Sequence, residues 1–301
     1  MRHFLQLETV IRRAPLGMRF VDIIRDETVS DALLVQVWHY GTTGPKQIAL
    51  TSPISGVYGF RSLPGLVRYE VGERPASAWC GPSSGLMPPD DWASSGALYG
   101  WVSADGSPVT ANFVVTVEDL QGRYLPEMLL LCLPREKLLE VPLFSSPARP
   151  PLAGLGVIRG QLVRHDGAQA GNPAGWARVT AVLGERTYEA LADARGIFVL
   201  FVPYARFPAL QNGGAPRGSE PIERLVWDVT IRVLYQPSKH IFVSGVEQPE
   251  IRSLIEQGQA NVYQQMDQSL PELETQLPFG RDLLVTTEGQ KSLLFVDPAL
   301  P

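Results

Sequence analysis

The chain has 301 residues, of which 45% are hydrophobic and 19% charged, and its formal net charge is −5. That length is enough for two domains of ordinary size, and the composition is that of a folded protein. The slight negative charge gives no electrostatic reason to expect nucleic acid or an anionic membrane as a partner. The 28 glycines and 26 prolines favour short strands joined by turns over a helical or βαβ fold.

Cysteine content and the N-terminus bear on where the protein is made. Two cysteines, Cys80 and Cys132, cannot form a disulfide framework, which favours the cytoplasm as the place of synthesis. The N-terminus does not have the pattern of a signal peptide, because Glu8 and Arg12 interrupt its few apolar residues. The longest apolar runs have the length of strands and are too short to span a bilayer. We therefore expect cytoplasmic synthesis without a signal peptide, and no membrane insertion.

Residues 1–144 are expected to form a first domain, a β-sandwich. Phe113, Val115 and Val117 form one side of an alternating pattern that is typical of a half-buried strand. An irregular insertion between Gly72 and Ser95 is the longest loop of this half and a candidate to carry contacts. The predicted strands are Gly17–Ile24, Ala32–Trp38, Lys46–Leu50, Gly56–Phe60, Gly65–Val71, Ala97–Val102, Ala111–Glu118 and Glu127–Leu133.

A linker and a second β-sandwich domain are expected to follow. Residues 145–151, SSPARPP, are rich in proline and predict an extended, fairly stiff connection. Residues 152–245 form the second predicted domain. Its predicted strands are Val157–Val163, Gly175–Leu183, Ile197–Val202 and Leu225–Tyr235.

Residues 246–301 differ in character and predict a helix followed by a β-hairpin. Apolar residues recur at helical spacing within Pro249–Gln268, although Gly258 makes one continuous helix less certain. Leu283–Thr286 and Ser292–Val296 then read as two strands around a turn. Because fifty residues cannot build a large core, this segment is expected to dock on the modules or on another subunit. The candidate assembly contacts are Ile251, Leu254, Ile255, Val262, Leu284 and Leu294.

A repeated pattern divides the chain into two similar halves. Gly56 and Gly196 lie 140 residues apart, each between a polar turn and a strand that ends at a proline. A glycine at such a turn commonly adopts positive φ. The repeated order of strand, polar turn, strand, glycine turn and strand predicts an all-β protein. We expect two β-sandwich modules of the transthyretin or immunoglobulin type, plus the C-terminal helix and hairpin.

Motifs for catalysis or for cofactor binding are weak in this sequence. Trp79-Cys80-Gly81-Pro82 matches the start of the thioredoxin redox site, but Ser83 stands where the resolving cysteine would be. None of the four histidines has a second ligand three or four residues away, a spacing that is found in zinc enzymes. We therefore expect no catalytic residues, no cofactor and no metal ion, and a protein that is not an enzyme.

Two resemblances give these patterns a family context. The segments Asp26–Val37 with Gly56–Pro64, and Asp166–Val182 with Asp193–Pro203, resemble carboxypeptidase regulatory-like domains. That resemblance implies transthyretin-like sandwiches and no peptidase activity, since the zinc ligands of such enzymes belong to another domain. The order of FVDIIRDETVSDALLVQVW, GVYGFRSLPGL, FVVTVEDLQGRYLP, VPLFSSPARPP, GWARVTAVL and DARGIFVLFVPY resembles an accessory protein of phage-tail-like extracellular contractile injection systems.

The second resemblance implies a structural subunit at the baseplate or another terminal complex of a large symmetric particle. Its partners would be other protein subunits, and the particle would be cytoplasmic, membrane-anchored or released on lysis. The alternative is a β-sandwich that binds carbohydrate or a cell-surface ligand. In that case Trp79, Trp92 and Trp101 would form a stacking platform in or beside the insertion.

Overall fold

The structure, a computed structural model, describes residues 14–40, 46–51, 55–60, 63, 113–133, 138–166, 169–204 and 225–299. They form two compact units between which the chain passes several times. Unit 1 takes its described residues from Met1–Val21, Glu27–Val117 and Leu129–Pro142. Unit 2 takes them from Asp22–Asp26, Glu118–Met128 and Leu143–Pro301. Strands dominate both units, so the prediction of an all-β fold is confirmed.

Unit 1 contains two sheets. In the first, the strand order is β2-β1-β6-β5, and β9 also pairs with β1; in the second it is β4-β3-β7-β8. Phe20 and Tyr58 meet edge to face in the core, with ring centroids 5.1 Å apart. The strands of these sheets, of which β1, β7, β8 and β9 each have one end in unit 2, are β1 (Gly17–Asp22), β2 (Glu27–Val29), β3 (Leu33–His39), β4 (Gln47–Ile48), β5 (Leu50–Thr51), β6 (Tyr58–Gly59), β7 (Phe113–Asp119), β8 (Glu127–Leu131) and β9 (Leu139–Leu143).

Unit 2 is built from eleven described strands and one short helix. The strands are β10 (Leu155–Asp166), β11 (Gln169–Pro173), β12 (Arg178–Leu183), β13 (Arg186–Leu191), β14 (Ile197–Pro203), β15 (Val226–Leu234), β16 (Asn261–Gln265), β17 (Gln268–Leu270), β18 (Leu273–Pro278), β19 (Leu283–Leu284) and β20 (Leu293–Asp297). The helix is α1 (Ile251–Ile255), and a 3-10 turn covers Pro237–Lys239.

The two sheets of unit 2 share one core. One sheet has the order β13-β12-β15-β18. The other is organised around β10, with β14 and β11 along one edge and β19 and β20 along the other, followed by β16 and β17. Phe198 and Leu200 from one sheet pack in the same buried cluster as Ile231 and Val233 from the other. This is the packing of a β-sandwich.

The predicted repeat has a counterpart in strand pairing. In unit 1 the first strand, β1, pairs antiparallel with β6, which follows Gly56. In unit 2 the first strand, β10, pairs antiparallel with β14, which follows Gly196. Both glycines have positive φ, 63° at Gly56 and 76° at Gly196, as the turn pattern predicts. A Cβ at Gly196 would also collide with the carbonyl oxygen of Leu162.

The predicted helix over Pro249–Gln268 is correct only at its start. Helix α1 ends at Ile255, and the chain then runs beside the end of β15, where the Tyr235 amide donates to the Gly258 carbonyl at 2.9 Å. A Cβ at Gly258 would approach the Ala299 Cβ to 2.9 Å, so this glycine permits close backbone passage. The helical spacing of apolar residues does not extend the helix past Ile255, because residues 261–265 form β16, which pairs with β17 and β20.

The predicted C-terminal hairpin is wrong. β19 and β20 both pair in parallel with β10, Ile158 opposite Leu283 and Gln161 opposite Leu293. Two strands that run in the same direction cannot form a hairpin. The twelve residues of β10 are long enough to hold both partners one after the other. An antiparallel hairpin does exist earlier, between β16 and β17, with Val262 opposite Leu270.

Residues 145–151 pack within unit 2. Ser145 forms an antiparallel bridge with Tyr124, and Arg149 is 5% exposed. Residues 246–301 lie in unit 2 as well, where they supply α1 and the five strands β16 to β20. Of the two expected docking places, the modules and another subunit, the structure has the first, and these residues supply strands to both sheets of unit 2 rather than a separate segment.

Candidate docking site

The feature best suited to contact another protein is a loop of unit 2, residues 240–250, which we call the docking loop. Ile241 and Phe242 stand side by side on it and are 43% and 55% exposed. A tight turn follows, in which the Val246 amide donates to the Val243 carbonyl at 3.0 Å and Gly245 has a φ of 80°. Adjacent exposed apolar side chains can form part of a protein interaction surface.

Hydrogen bonds close the loop at its base. The Glu250 amide donates to the Ile241 carbonyl at 2.8 Å, and the Ile241 amide donates to Ser253 Oγ at 3.2 Å. Glu250 also forms a parallel bridge with Met128, which likewise belongs to unit 2. Because both ends are held, Ile241 and Phe242 are displayed on a defined backbone, which lowers the entropy lost on binding.

Helix α1 begins directly after the docking loop. The buried Glu250 side chain caps it by accepting from the backbone amides of Arg252 and Ser253, at 2.9 and 3.0 Å. At the other end, Arg178 Nη1 donates to the Ile255 carbonyl and Lys239 Nζ donates to the Glu256 carbonyl, both at 2.9 Å. These cations satisfy the last carbonyls of the helix.

A buried glutamine connects His240 to the sandwich. Gln257 Nε2 donates to the carbonyls of Trp176 and Leu254, and its Oε1 accepts from the Gln236 amide. Because that oxygen is an acceptor, His240 Nε2, 2.9 Å away, must carry a hydrogen and donate to it. Burial lowers the pKa of His240, against the opposing effect of this hydrogen bond, so the ring is neutral at pH 7.

A second polar cluster lies in the interior of unit 2 and holds its segments together. Asp22, 1% exposed, accepts from the Tyr124 hydroxyl at 2.9 Å, from Arg149 Nη2, and from the Ile24 amide at 2.9 Å. Burial alone would raise the pKa of Asp22, but the Arg149 and Ile24 hydrogen bonds outweigh it and keep the pKa below its ordinary value. Burial and the Asp22 charge raise the pKa of Tyr124 to about 12. Tyr124 and Arg149 both donate hydrogen bonds to Asp22. Mutually satisfied buried groups of this kind stabilise the structure.

Glu127 is a buried carboxyl without such compensation. It is 3% exposed at the start of β8, and neither carboxylate oxygen has a partner with hydrogen-bond geometry. Burial raises the pKa of Glu127 well above its ordinary value, and the nearby Phe144 amide only partly opposes this. Burial therefore favours the neutral, protonated form of Glu127 over the carboxylate.

Three aromatic rings cluster at one end of unit 2. The Tyr204 ring lies 4.8 Å from that of Trp227 and 4.9 Å from that of Phe279. The Tyr204 hydroxyl accepts from the Gly280 amide at 2.9 Å. All three side chains are partly exposed. Rings with exposed faces can stack on the apolar face of a sugar, although here part of each ring covers its neighbour.

Most of the contact residues expected from the sequence are buried within unit 2. Ile251, Leu254, Val262 and Leu294 are at most 2% exposed, and Ile255 is partly buried. Leu284 is 50% exposed. The premise that these apolar residues need cover from a neighbouring subunit is therefore corrected at four positions, since the sandwich itself covers them.

The docking loop was missed because its apolar residues have no periodicity. The only local signal is three consecutive apolar residues, Ile241 to Val243, between polar residues and a turn glycine, and such a run does not distinguish an exposed segment from a buried one. The aromatic residues of the alternative, Trp79, Trp92 and Trp101, lie outside the described residues, as does Cys80.

Within the described ranges, no group of three or more His, Cys, Asp or Glu side chains is placed to hold a metal ion. Of the helices in those ranges, none is long and apolar enough to cross a bilayer.

Comparison with known proteins gives little. No family model and no curated protein matches the chain. A candidate carbohydrate-binding protein from Bacteroides uniformis is 12% identical over 88% of this chain and all of its own, with a TM-score of 0.22. The TIE protein of Bacillus anthracis is 9% identical over 89% of this chain, which spans 44% of that protein, with a TM-score of 0.20. A candidate adhesin from Bacteroides ovatus is 9% identical over 74% of this chain and 72% of its own, with a TM-score of 0.14. TM-scores this low support no inference about function.

Proposed function

We propose that this chain is a non-catalytic structural subunit that binds other protein subunits of a phage-tail-like contractile injection particle, at the baseplate or another terminal complex. The observation that carries the proposal is the docking loop, which presents Ile241 and Phe242 on a backbone closed by hydrogen bonds. Rigid, exposed apolar anchors of this kind are typical of the energetic centre of a protein interface. The type of particle comes from the sequence resemblance alone.

The proposed contact replaces the one expected from residues 246–301. Phe242 can enter a pocket of a partner without disturbing the core, because its side chain is already outside the sandwich. Ile251 and Leu254 cannot do so, because they fill the interface between α1 and the rest of unit 2. Leu284 is the one expected contact residue that is largely exposed, so it is the alternative to Phe242 as a contact with a partner.

The test measures incorporation of tagged variants into the particle of the native host. Phe242→Ser should lower affinity for the particle by about 30-fold or more, the loss expected for an aromatic hot spot. Leu284→Ser is the matched control, since Leu284 is similarly exposed, and it should leave occupancy unchanged. Circular dichroism establishes that both variants remain folded. Full occupancy of an Ile241→Ser and Phe242→Ser double variant, or absence of the wild-type protein from the particle, would refute the proposal.

A second candidate function, carbohydrate or cell-surface ligand binding, is favoured by the aromatic cluster of Tyr204, Trp227 and Phe279. A glycan array followed by calorimetry tests it. A sugar that binds the wild type and loses at least tenfold in affinity to Tyr204→Ala would favour this function. Binding that survives Tyr204→Ala would direct attention to the predicted platform of Trp79, Trp92 and Trp101.

A further inference from the structure

Strand β18 is the terminal strand of the four-stranded sheet of unit 2. It pairs with β15 on one side, from Val226 opposite Pro278 to Ile231 opposite Leu273. In the part of the chain that the structure describes, no strand pairs with its other side. A free edge offers backbone donors and acceptors to an added strand.

The alternation of backbone hydrogen bonds along β18 shows which of its backbone groups point away from β15. The Phe279 amide donates to the Leu225 carbonyl at 2.9 Å, so residue 279 faces β15. In an antiparallel ladder, alternate residues face the same neighbour. Leu273, Thr275 and Leu277 therefore also bond to β15. The backbone N–H and C=O groups of Glu274 and Gln276 point away from the sheet.

The side chains of β18 differ in exposure according to the face of the sheet on which they lie. Leu273 and Leu277 are buried in the core, whereas Glu274 and Gln276 are exposed on the outer face. Gln276 Nε2 donates one hydrogen to Asp228 Oδ1 at 3.1 Å, which fixes its amide and leaves a second hydrogen for another acceptor.

We propose that two copies of this chain associate by antiparallel pairing of β18 with β18, about a twofold axis at Thr275. In this register Glu274 of each copy lies opposite Gln276 of the other, so that a carboxylate meets an amide donor twice. The two neighbouring registers are worse. An axis at Glu274 places two carboxylates directly opposite each other. An axis at Gln276 places Glu274 opposite Pro278, which has no N–H to donate.

The edge is therefore self-complementary in one register, which is the requirement of an isologous contact. Pairing would join the two four-stranded sheets into one of eight strands. Pairing of two six-residue strands alone buries much less surface than the about 1,000 Å² that a stable interface needs. Dimers should accordingly form only at high concentration, or where a larger assembly brings two copies together.

The experiment is analytical ultracentrifugation of the full chain from micromolar to near-millimolar concentration. The wild type should show a monomer–dimer equilibrium. Gln276→Pro removes an outward N–H without breaking a bond to β15, so it should abolish the dimer while the circular dichroism spectrum stays unchanged.

Substitutions at the same position with opposite charges give a matched pair. Gln276→Glu places like charges opposite each other twice and should weaken the dimer by about 2- to 30-fold; Gln276→Lys should strengthen it by a similar factor. A wild type that stays monomeric throughout, or a Gln276→Pro variant that is folded and still dimeric, would overturn the proposal. These outcomes are separate from the docking-loop assay, so the two proposals can fail independently.

Discussion

Replacing Arg149 by methionine should destabilise unit 2 strongly. Methionine has a similar length, so the substitution removes the charge and the hydrogen bonds while it preserves most of the packing. Arg149 and Asp22 are 5% and 1% exposed, so the lost partner leaves a carboxylate in the protein interior. Removal of one member of a buried ion pair typically costs about 3–5 kcal/mol.

The structure places the expected loss near the lower end of that range, about 3 kcal/mol. Asp22 keeps the Tyr124 hydroxyl and the Ile24 amide as donors after the substitution. Arg149 also donates to Ser145 Oγ at 2.9 Å and lies over the rings of Tyr124 and Phe201, 4.8 and 5.8 Å from their centroids. These contacts are lost too, so the loss should not be much smaller.

The assay is urea unfolding at pH 7, with native-state hydrogen exchange of the β14 amides to assign the loss to unit 2. Asp22→Asn and the double variant complete a thermodynamic cycle. Because Asp22 and Arg149 are in direct contact, their coupling free energy should be about 0.5–3 kcal/mol. A loss below about 1 kcal/mol for Arg149→Met, or strictly additive single variants, would refute the assigned role.

The pair also predicts a pH dependence. The folded-state pKa of Asp22 lies below its ordinary value, because the hydrogen bonds from Arg149 and Ile24 outweigh burial. A carboxyl with a lowered folded-state pKa adds stability above its unfolded pKa and loses it as the pH falls through the folded value. The wild type should therefore lose this contribution only in acid, and Asp22→Asn should lack that acid-side loss.

Three further substitutions test other parts of the structure. Glu127→Gln should stabilise the protein at pH 7 and leave its stability unchanged below pH 4. The raised folded-state pKa of Glu127 makes folding less favourable as the pH rises above the ordinary carboxyl pKa, and glutamine lacks this penalty. An unchanged urea midpoint at pH 7 would contradict this. Thr287→Val should cost about 2–4 kcal/mol, because Thr287 Oγ1 donates to the Tyr263 carbonyl at 2.7 Å and accepts from the Phe295 amide at 3.0 Å, whereas Thr287→Ser should retain most of the urea stability. Gly196→Ala should lower the melting temperature by several degrees because its φ of 76° and the nearby Leu162 carbonyl exclude a Cβ, whereas Gly184→Ala, at a φ of 62° with open space around it, should cost less.

Local pattern was sufficient for many strands. The alternation from Phe113 to Val117 became β7, and the apolar run from Ile197 to Val202 became β14. Other strands were missed. β13 and β18 are rich in polar residues because one face of each is exposed to solvent, and β9 is only five residues long, although its Leu139, Val141 and Leu143 alternate. The polar cluster of Asp22, Tyr124 and Arg149 was missed because its members are as much as 127 residues apart in sequence.

The sequence by itself determined the all-β class, the positions of the main strands and the glycine turns at Gly56 and Gly196. Those properties depend on alternation of apolar residues and on the backbone freedom of single residues, both of which are local. The tertiary structure decided that residues 261–265 form a strand, that β19 and β20 both run parallel to β10, and that Ile241 and Phe242 remain outside while Ile251 and Leu254 are buried. Those outcomes depend on which distant backbone satisfies each N–H and C=O group and on which surface covers each side chain, and no local pattern encodes that choice.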